Sequence, residues 1–330
     1  MSRCLVIGGT LFIGRALVRR LLARGDDVTI LHRGRHNPFA GQTKEIHCDR
    51  NDTGAVGRAL RGESFDFVFD NVYDWERGTT GEQVEAAALS CAGGLQRYVF
   101  TSSVAAYGEG LDRREDDPLA PGSHPEQYVR DKAQTERRLF RLHRDRGFPA
   151  VTLRPPYIYG PENPFYREAF FWDRLLADRP IIMPGDGKRL MQFVHVDDLA
   201  QAAVSVLEKD GTAGRAYNIA NPKPVTQIEL VEALADAAGK TADMVFVDRE
   251  RLLALGGQVL GPPYYFAQYF DMPPITQNTG RAQEDLGFSA RSLGEGLEQT
   301  FRWYRTQTAR PSPDFSFDDK VLAHEAGTDL

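Results

Sequence analysis

A tyrosine and a lysine one helical turn apart are the residues of this sequence best suited to chemistry. Tyr128 and Lys132 lie in the stretch Tyr128-Val129-Arg130-Asp131-Lys132, and side chains four residues apart project from one face of a helix. An ammonium group held there favours the phenolate and lowers a tyrosine pKa that is normally about 10. Such a tyrosine can exchange a proton with an alcohol or a ketone near neutral pH. The same spacing also occurs in ordinary pairs on a helix surface, so its meaning depends on the elements that position it.

A glycine-rich turn near the N-terminus predicts a dinucleotide site. The apolar run Cys4-Leu5-Val6-Ile7 leads directly into Gly8-Gly9-Thr10-Leu11-Phe12-Ile13-Gly14 and then into a helical pattern. A strand, a tight glycine turn and a helix N-terminus together favour a bound pyrophosphate. Gly8 allows the sharp turn, and Gly14 lets the helix pack close to the strand. Because the turn lies between the first strand and the first helix, a dinucleotide role is favoured over a plain loop.

Strands and helices alternate along the first half of the chain. Short apolar or β-branched runs predict strands, and between them lie segments with apolar residues at helical spacing. The predicted strands cover residues 4–7, 28–31, 65–69, 98–101 and 151–153, and the predicted helices cover residues 12–23, 79–91 and 125–146. This order predicts an α/β fold, a doubly wound parallel sheet with helices on both faces.

Proline and glycine interrupt the second half, and we predict two lobes from this change. Residues 196–207 and 216–219 are typical of one more helix–strand unit that returns to the sheet. We assign residues 1–160 and 192–222 to a dinucleotide-binding domain, and residues 161–191 and 223–308 to a smaller substrate-binding lobe. Residues 309–330 are expected to form an extended tail. Capping boxes predict helix starts at Thr79 with Glu82, Thr226 with Glu229, and Ser292 with Glu295.

Length and composition describe an ordinary soluble protein. The chain has 330 residues, 42% of them hydrophobic and 26% charged, with a net charge of −6. Neither nucleic acid nor an anionic membrane is therefore an expected partner. The three cysteines, Cys4, Cys48 and Cys91, are scattered and fit neither a disulfide framework nor a paired metal spacing. The N-terminus resembles neither a signal peptide nor a membrane span, and a cytoplasmic location is expected.

Several motifs together resemble one family. The glycine turn, Thr101-Ser102-Ser103 at a strand end, and Tyr128 with Lys132 are similar to the short-chain dehydrogenase/reductases. More narrowly they resemble the extended type, the NAD-dependent epimerase/dehydratase family, in which the interval from Ser103 to Tyr128 is usual. Residues 154–161 (Arg-Pro-Pro-Tyr-Ile-Tyr-Gly-Pro) and 193–200 (Phe-Val-His-Val-Asp-Asp-Leu-Ala) agree with it. The resemblance covers residues 3–305 and implies a Rossmann-type fold and a small-molecule substrate.

The resemblance implies a catalytic role for Ser103, Tyr128 and Lys132. Tyr128 would act as acid and base at the substrate oxygen, and Ser103 would hydrogen-bond the same oxygen. Lys132 would bind the nicotinamide ribose and lower the Tyr128 pKa. Cofactor binding is implied for Gly8, Thr10, Leu11, Phe12, Ile13, Gly14, Arg33, Asp49, Arg50, Val72, Tyr128, Lys132 and Pro155. Leu11 stands where the family pattern has a glycine, but its backbone rather than its side chain would face the phosphates.

The cofactor expected from these residues is NADP, with NAD as the alternative. NAD-preferring relatives carry an acid near the position of His32, where it binds the ribose 2′-hydroxyl. No acid is present there, and Arg33 and Arg35 can meet a 2′-phosphate instead. The competing interpretation is that both arginines are solvated. Asp49 stands where relatives hold the adenine amino group, and residues 70–73 replace a turn of small residues beside the cofactor.

Missing side chains narrow the expected reaction. Dehydratases of the family place an Asp-Glu pair directly after the serine, whereas Val104 and Ala105 cannot move a proton. Sugar-nucleotide epimerases carry an Asn at the position of Tyr157 and a diphosphate-binding Arg at the position of Met191. They also carry a second diphosphate-binding Arg, which is absent from residues 270–276 of this chain. Arg189 is a nearby substitute. We therefore expect a substrate pocket that is less polar than a nucleotide-sugar site. The candidate substrate residues are Val104, Tyr157, Arg189 and Met191.

We therefore expect an NAD(P)-dependent oxidoreductase that transfers a hydride at a carbinol or ketone carbon of a small substrate, with sugar-derived compounds among the candidates. A ketoreductase is favoured over a dehydratase, and a nucleotide-sugar epimerase with retained NAD is the alternative. The glycine turn also resembles an atypical branch that includes RNA-associated chloroplast proteins, so a non-catalytic RNA-associated scaffold is the alternative from another class. Relatives often pair through the tyrosine-bearing helix, and a homodimer is expected. No metal is expected, since residues 195–198 (His-Val-Asp-Asp) begin a structural helix in this family.

Overall fold

The computed structural model of the chain describes residues 1–34, 36–308 and 310–327. Its strands are β1 (Arg3–Ile7), β2 (Asp27–His32), β3 (Lys44–His47), β4 (Phe67–Asp70), β5 (Arg97–Thr101), β6 (Gly110–Arg113), β7 (Ala150–Arg154), β8 (Tyr157–Tyr159), β9 (Ile181–Pro184), β10 (Leu190–Met191), β11 (Phe193–His195), β12 (Ala216–Asn218), β13 (Val225–Thr226), β14 (Met244–Val247) and β15 (Ile275–Gln277). Its helices are α1 (Phe12–Ala23), α2 (Thr53–Ala59), α3 (Gly81–Ser90), α4 (Gln127–Arg146), α5 (Glu168–Leu176), α6 (Val196–Glu208), α7 (Gln227–Ala237), α8 (Arg249–Ala254), α9 (Gly280–Leu286), α10 (Leu293–Thr306) and α11 (Ser316–Glu325), and a short 3-10 helix covers Val104–Tyr107. Of the helices in this described part of the chain, none is both long enough and apolar enough to cross a lipid bilayer.

Seven parallel strands form the central sheet, in the order β12-β7-β5-β4-β1-β2-β3. The predicted doubly wound fold is confirmed, because the strand order reverses at β1, which lies between β4 and β2. In this register Ile7 of β1 is opposite Leu31 of β2 and Asp70 of β4. A parallel sheet of this kind binds ligands in the crevice beyond the carboxyl ends of its strands, at the point of reversal.

Helices cover both faces of this sheet. Along β1, Cys4 and Val6 belong to one hydrophobic cluster with α1 and α6, while Leu5 and Ile7 belong to another with α3 and α4. All four residues are fully buried, which is why the strand is continuously apolar rather than alternating. All three cysteines of the chain are buried as well, and loss of water around them raises the pKa of the Cys4 and Cys91 thiols to about 12.

One compact unit contains the central sheet and comprises Met1–Ile158, Val194–Pro222 and Ile275–Ala290. The predicted return of residues 196–219 to the sheet is confirmed, since β12 pairs in parallel with β7. The sequence assigns residues 275–290 to the substrate lobe, but the structure places them here. Strand β15 pairs with β6, and the Gln277 side-chain amide donates to the Arg154 carbonyl at 2.8 Å. Only one of the three residues of β15 is apolar, so an apolar pattern does not predict this strand.

A second compact unit comprises Tyr159–Phe193, Lys223–Pro274 and Arg291–Leu330. Its strand pairs are short: β9 with β14 in parallel, and β10 with β13 antiparallel. Aromatic packing forms part of its core, where Trp172 lies against Phe301 and Tyr304 at ring-centroid distances of 5.2 and 5.1 Å. The Trp172 indole N–H donates to the Leu234 carbonyl at 3.0 Å, which satisfies its hydrogen-bonding requirement in the core.

The end of the chain differs from the expected extended tail. Residues 310–315 are irregular, and Ser316–Glu325 form helix α11, whose Phe317 and Val321 are buried. The Asp318 carboxylate accepts two hydrogen bonds from the Arg174 guanidinium of α5, at 2.7 and 2.8 Å. The proline and serine residues of this segment favour the prediction of an extended tail. The buried ion pair of Asp318 with the distant Arg174 stabilises a helix instead. Residue 309, the predicted start of the tail, lies outside the described residues.

Two of the three predicted capping boxes, those that begin α7 and α10, are confirmed. At α3 the box lies one residue later than predicted and joins Thr80 to Gln83. The Thr79 hydroxyl accepts from the Asp74 backbone N–H at 3.0 Å instead. Two consecutive threonines each have a suitable partner three residues on, so the sequence leaves the first residue of this helix undetermined.

Replacing Asp318 with alanine is expected to destabilise the protein by about 3 kcal/mol, because the buried Arg174 guanidinium loses its carboxylate. Asp319→Ala is the matched control. This neighbour pairs with Arg179 and its side chain is 59% exposed, so we expect a loss of less than about 1 kcal/mol. Urea unfolding followed by circular dichroism measures both free energies. Equal losses in the two variants would contradict the role of Asp318 as the anchor of α11.

Candidate active site

Helix α4 carries the predicted proton-transfer pair. Tyr128, Lys132 and Glu136 occupy successive turns, and Lys132 and Glu136 are buried. The Lys132 ammonium donates a hydrogen bond to the carbonyl of Thr101, the last residue of β5, at 2.8 Å. Its Nζ lies 5.7 Å from the ring centroid of Tyr128. The structure therefore places the lysine beside the tyrosine, as the one-turn spacing predicts.

Burial changes the ionisation of Lys132. The loss of water around the ammonium lowers the pKa of Lys132 to about 8, although nearby carboxylates, Asp70 first among them, oppose the shift. Its Nζ lies 4.7 Å from the ring centroid of Phe100 and 5.6 Å from that of Tyr73, so aromatic rings replace part of its water shell. Because a pKa of about 8 is above neutral pH, most Lys132 side chains carry a charge at about pH 7.

Ser103 lies two residues after the end of β5 and caps the N-terminus of the short 3-10 helix. Its hydroxyl accepts a hydrogen bond from the Ala105 backbone N–H at 3.1 Å, a capping role common for serine, and it still has a proton to donate. The Val104 backbone N–H donates to the Pro155 carbonyl at 2.9 Å, which ties the segment after β5 to the segment after β7. Ala105 packs on helix α4, so the serine lies next to the helix that carries Tyr128.

A buried polar network, which no motif in the sequence predicts, fixes α4 to the ends of β5 and β7. Glu136 pairs with Arg154 at 2.6 Å, and neither side chain is more than 3% exposed. The Ser102 hydroxyl donates to the same carboxylate at 2.5 Å, and Arg154 also donates to the Tyr107 hydroxyl at 2.6 Å. Two buried opposite charges, each with several hydrogen bonds, hold the helix at one position on the sheet. The signal present in the sequence is a glutamate one turn after Lys132.

The glycine turn has the geometry of a pyrophosphate site. Gly8 has a positive φ of 84°, and a Cβ there would lie 2.4 Å from Cγ2 of Val72. At Gly14 a Cβ would lie 1.8 Å from the Gly8 carbonyl oxygen, so glycine alone lets α1 pack this closely on β1. Leu11 precedes α1 and has no polar side chain to cap it, which leaves the first N–H groups of the helix to an anion. These residues fit the pyrophosphate of a dinucleotide.

Charged side chains gather beyond the ends of β2, β3 and β4. The Asp49 carboxylate accepts from Arg77 at 2.8 Å. Burial opposes the ionisation of Asp49, but the Asn51 backbone N–H and Arg77 together hold its pKa below the usual value. Arg33 lies 3.9 Å from the Asp74 carboxylate, and its side chain is 55% exposed, so a ligand phosphate can reach it. Arg35, the other predicted phosphate ligand, lies outside the described residues.

Arg50, also predicted at the cofactor, has a buried side chain. Its guanidinium pairs with Asp70 and donates to the Gln83 carbonyl at 3.0 Å. The Tyr98 hydroxyl donates to the same Asp70 carboxylate at 2.7 Å. Because the Arg50 side chain is engaged inside the protein, only the Arg50 backbone can contact a cofactor. Among the other predicted residues, Thr10 and Ile13 are partly exposed, Leu11 is exposed, and Phe12 and Val72 pack against the core.

One group of three metal-type side chains, His32, Glu45 and His47, occurs in the described residues. The two histidine Nε2 atoms lie 2.8 and 3.1 Å from Oε2 of Glu45. The Gly34 backbone N–H donates to Nδ1 of His32 at 3.2 Å, so the proton of the neutral imidazole is on Nε2. That nitrogen points a proton at Glu45 rather than a lone pair at a metal, and the cluster serves to join β2 to β3.

The segment after β4, residues 71–78, brings aromatic rings to the tyrosine, and we call it the aromatic loop. Trp75 stacks on Tyr128 with ring centroids 4.9 Å apart and planes 24° from parallel. Tyr73 meets Tyr128 edge-on at 4.8 Å, and its hydroxyl donates to Asp131 at 3.0 Å. Burial, and then that carboxylate, raise the pKa of Tyr73 above its usual value, so Tyr73 stays neutral at physiological pH. The sequence shows that the family's turn of small residues is replaced here, but it does not predict the contact of these rings with Tyr128.

The four predicted substrate residues divide between the two units. In the first unit, Val104 is buried and Tyr157 is partly exposed. In the second unit, Arg189 donates to the Asp271 carbonyl oxygen at 2.7 Å, and its Nε lies 3.5 Å from the Asp271 carboxylate. Met191 lies on β10 and is 2% exposed, so its side chain packs in the protein interior. A substrate role for these four residues stays a prediction.

Comparisons with known proteins show which family and relatives the chain resembles. The family described as the NAD dependent epimerase/dehydratase family matches residues 4–220. The chloroplast stem-loop binding protein of 41 kDa b from Arabidopsis thaliana is 31% identical, over 98% of this chain and 84% of its own. The decarboxylating sterol-4-alpha-carboxylate 3-dehydrogenase from Bos taurus is 28% identical, over 68% of this chain and 66% of its own.

Solved structures share the fold. The UDP-glucose 4-epimerase of Thermus thermophilus, solved as a complex with NAD, has a TM-score of 0.73 at 23% identity, over 93% of this chain and 100% of its own. The family match extends over more than half of the chain, and it includes the glycine turn, Ser103, Tyr128 and Lys132. The chain therefore belongs to the NAD-dependent epimerase/dehydratase family of extended short-chain dehydrogenase/reductases.

Proposed function

We propose that the chain is an NAD(P)-dependent oxidoreductase that moves a hydride at a carbinol or ketone carbon of a small substrate, as a ketoreductase rather than a dehydratase. The observation that supports it most is the hydrogen bond of Lys132 to the Thr101 carbonyl at 2.8 Å. This bond attaches the helix of Tyr128 to the end of β5, two residues before Ser103. Three groups that can hold or move one proton are therefore attached to the same strand end.

Each of the three side chains has its own role. The Tyr128 hydroxyl gives a proton to a ketone oxygen or, as the phenolate, takes it from an alcohol. The Ser103 hydroxyl donates a hydrogen bond to the same oxygen and so fixes its position. The Lys132 ammonium favours the phenolate form of Tyr128 and binds the cofactor ribose. The nicotinamide ring supplies or accepts the hydride when the cofactor is bound.

The residues that follow Ser103 favour a single hydride transfer. Water elimination needs a further acid and base, and the side chains of Val104 and Ala105 have no proton to move. Arg189 is already engaged by Asp271, so binding a substrate diphosphate would take it from that partner. Similarity to a sterol-carboxylate dehydrogenase favours an oxidoreductase with a less polar substrate, and sugar-derived compounds stay among the candidates. A nucleotide-sugar epimerase with retained NAD is the alternative, supported by the fold shared with a UDP-glucose 4-epimerase.

For the cofactor we propose NADP, with NAD as the alternative. The exposed Arg33 lies beyond the end of β2, where NAD-preferring relatives carry an acid for the ribose 2′-hydroxyl. An acid close by, Glu45, is engaged by two histidines. The Arg33 guanidinium lies 3.9 Å from the Asp74 carboxylate but is 55% exposed, so a 2′-phosphate can reach it.

We propose that the chain forms a homodimer through α3 and α4. We propose the cytoplasm as its location. The two helices pack together, and Arg138 of α4 pairs with Glu82 and Glu85 of α3 at 2.7 and 2.6 Å. Leu89 of α3 is 42% exposed, and a dimer formed through these helices would cover it.

An RNA-binding scaffold is the candidate from another class. Its support is the Arabidopsis thaliana stem-loop binding protein, 31% identical over 98% of this chain. The net charge of −6 weighs against it, since RNA binding relies on clustered positive charge. The presence of Ser103, Tyr128 and Lys132 together weighs against it as well, because a scaffold needs no proton-transfer group.

Tyr128→Phe is expected to lower kcat at least about a hundredfold, because the acid and base is lost, while the variant still binds the cofactor. The measurement is the loss of NADPH absorbance with a panel of small ketones, together with a fluorescence titration of NADPH. Tyr264→Phe, a change of the same kind in the second unit, is the control and should keep full activity. Full activity in Tyr128→Phe would rule this mechanism out.

Arg33→Ala is expected to weaken NADPH binding at least about tenfold, because a charge-assisted contact with the 2′-phosphate is lost. NADH lacks that phosphate, so its affinity should not change. Arg61→Ala is the control, since this exposed residue lies between α2 and β4, away from the carboxyl ends of the strands. Fluorescence titrations give the affinities of the parent chain and both variants for the two nucleotides, and an equal effect of Arg33→Ala on both nucleotides would exclude a 2′-phosphate contact.

A labelled stem-loop RNA is expected to bind no more tightly than about 1 µM at physiological salt, which is the range of non-specific contacts. Fluorescence anisotropy with and without NADPH measures this affinity. Tight, salt-sensitive RNA binding by a protein that consumes no NADPH with any ketone would favour the scaffold over the oxidoreductase.

A further inference from the structure

The aromatic loop presents an exposed indole beside the candidate catalytic tyrosine. Trp75 stacks on the Tyr128 ring, and Tyr73 meets Trp75 edge-on at 5.1 Å. Trp75 nevertheless remains 54% exposed. A single exposed apolar side chain is ordinary elsewhere on a protein surface. This one is stacked on the ring of the tyrosine proposed as acid and base, so it lies beside the proposed site of proton exchange.

Hydrogen bonds and close packing hold the aromatic loop in one conformation. The Asp74 carboxylate accepts from the backbone N–H groups of Glu76 and Arg77, both at 3.0 Å. The Gly78 N–H donates to the Asp74 carbonyl at 2.8 Å, and a Cβ at Gly78 would lie 2.2 Å from the Gln127 side chain. The loop therefore packs tightly on the first turn of α4. A ring presented by such an anchored turn loses little conformational entropy when a ligand stacks on it.

We propose that Trp75 determines specificity by stacking on a ring of the substrate beside Tyr128. This rests on the oxidoreductase function proposed above. An indole offers a flat, weakly polar surface on which other rings pack in offset or edge-on geometry. Val104 and Ala105 follow the candidate catalytic serine and carry no charge, so ring contact rather than an ion pair orients the substrate there.

The substrate class that follows is a cyclic ketone or cyclic alcohol, either a carbocycle or a pyranose, with a C–H face on the indole. An open-chain ketone of the same size has no flat face and gains less from Trp75. The nicotinamide ring is also planar, so the cofactor is the competing occupant of this surface. Separate measurements of ketone binding and of cofactor binding distinguish the two.

The test compares the binding of cyclohexanone with that of 2-hexanone, an open-chain ketone with the same number of carbons. Binding is followed by ligand-observed saturation-transfer NMR on the full chain with saturating NADP⁺, with which a ketone cannot react. We expect Trp75→Ala to weaken cyclohexanone binding about three- to tenfold and to leave 2-hexanone binding unchanged. Trp75→Phe should retain most of the cyclohexanone affinity and tests the same point if the alanine variant unfolds. Leu253→Ala, which removes a side chain that is 53% exposed, is the control and should change neither affinity.

Undiminished cyclohexanone binding by Trp75→Ala would overturn the proposal, and so would the absence of cyclohexanone binding by the parent chain. A loss of NADP⁺ affinity with unchanged ketone binding would also overturn it, since the indole would then serve the cofactor. The oxidoreductase proposal fails on separate grounds. It fails if none of the ketones causes NADPH to be consumed, or if Tyr128→Phe stays active. Ring-selective binding that disappears in Trp75→Ala, in a chain that turns over no ketone, would therefore support ring stacking on Trp75 and reject the oxidoreductase.

Discussion

The buried ion pair of Glu136 with Arg154 fixes helix α4 on the central sheet, and the candidate site depends on that position. Neither side chain is more than 3% exposed, so moving the helix by one turn would separate two charges away from water at a cost of several kcal/mol. Lys132 lies one turn before Glu136 and consequently reaches the end of β5. Tyr128 lies one turn further and meets the aromatic loop. Glu136 and Arg154 are thus positioning residues, because their contact determines where the candidate proton-transfer groups lie.

Short-range rules predict much of the fold, and long-range contacts decide the remainder. Helix α1 has the predicted bounds, because a glycine turn and an apolar period lie within a few residues of each other. The start of α3 is displaced by one residue, because Thr79 and Thr80 satisfy the same local rule. Helix α11 and strand β15 are missed for a different reason. Their structure depends on partners more than a hundred residues away, Arg174 for α11 and Arg154 for β15.

The candidate site divides in the same way. Spacing and family resemblance predict Ser103, Tyr128 and Lys132, because one turn of helix and one strand end determine where they lie. The contact of Trp75 with Tyr128 joins segments more than fifty residues apart, so no local pattern predicts it. Arg50 is adjacent to Asp49 in sequence, yet its side chain turns inward to Asp70. Adjacency along a chain does not show which of two neighbours faces a ligand.

The burial of all three cysteines has a practical consequence for labelling. Thiol reagents attack the thiolate, and at a pKa of about 12 very few Cys4 or Cys91 side chains are ionised at neutral pH. Burial also raises the pKa of Cys48. The native chain is therefore a nearly silent background for maleimide dyes. One cysteine introduced on the surface of each compact unit would give a dye pair whose energy transfer reports the distance between the units in solution, without removal of any native thiol.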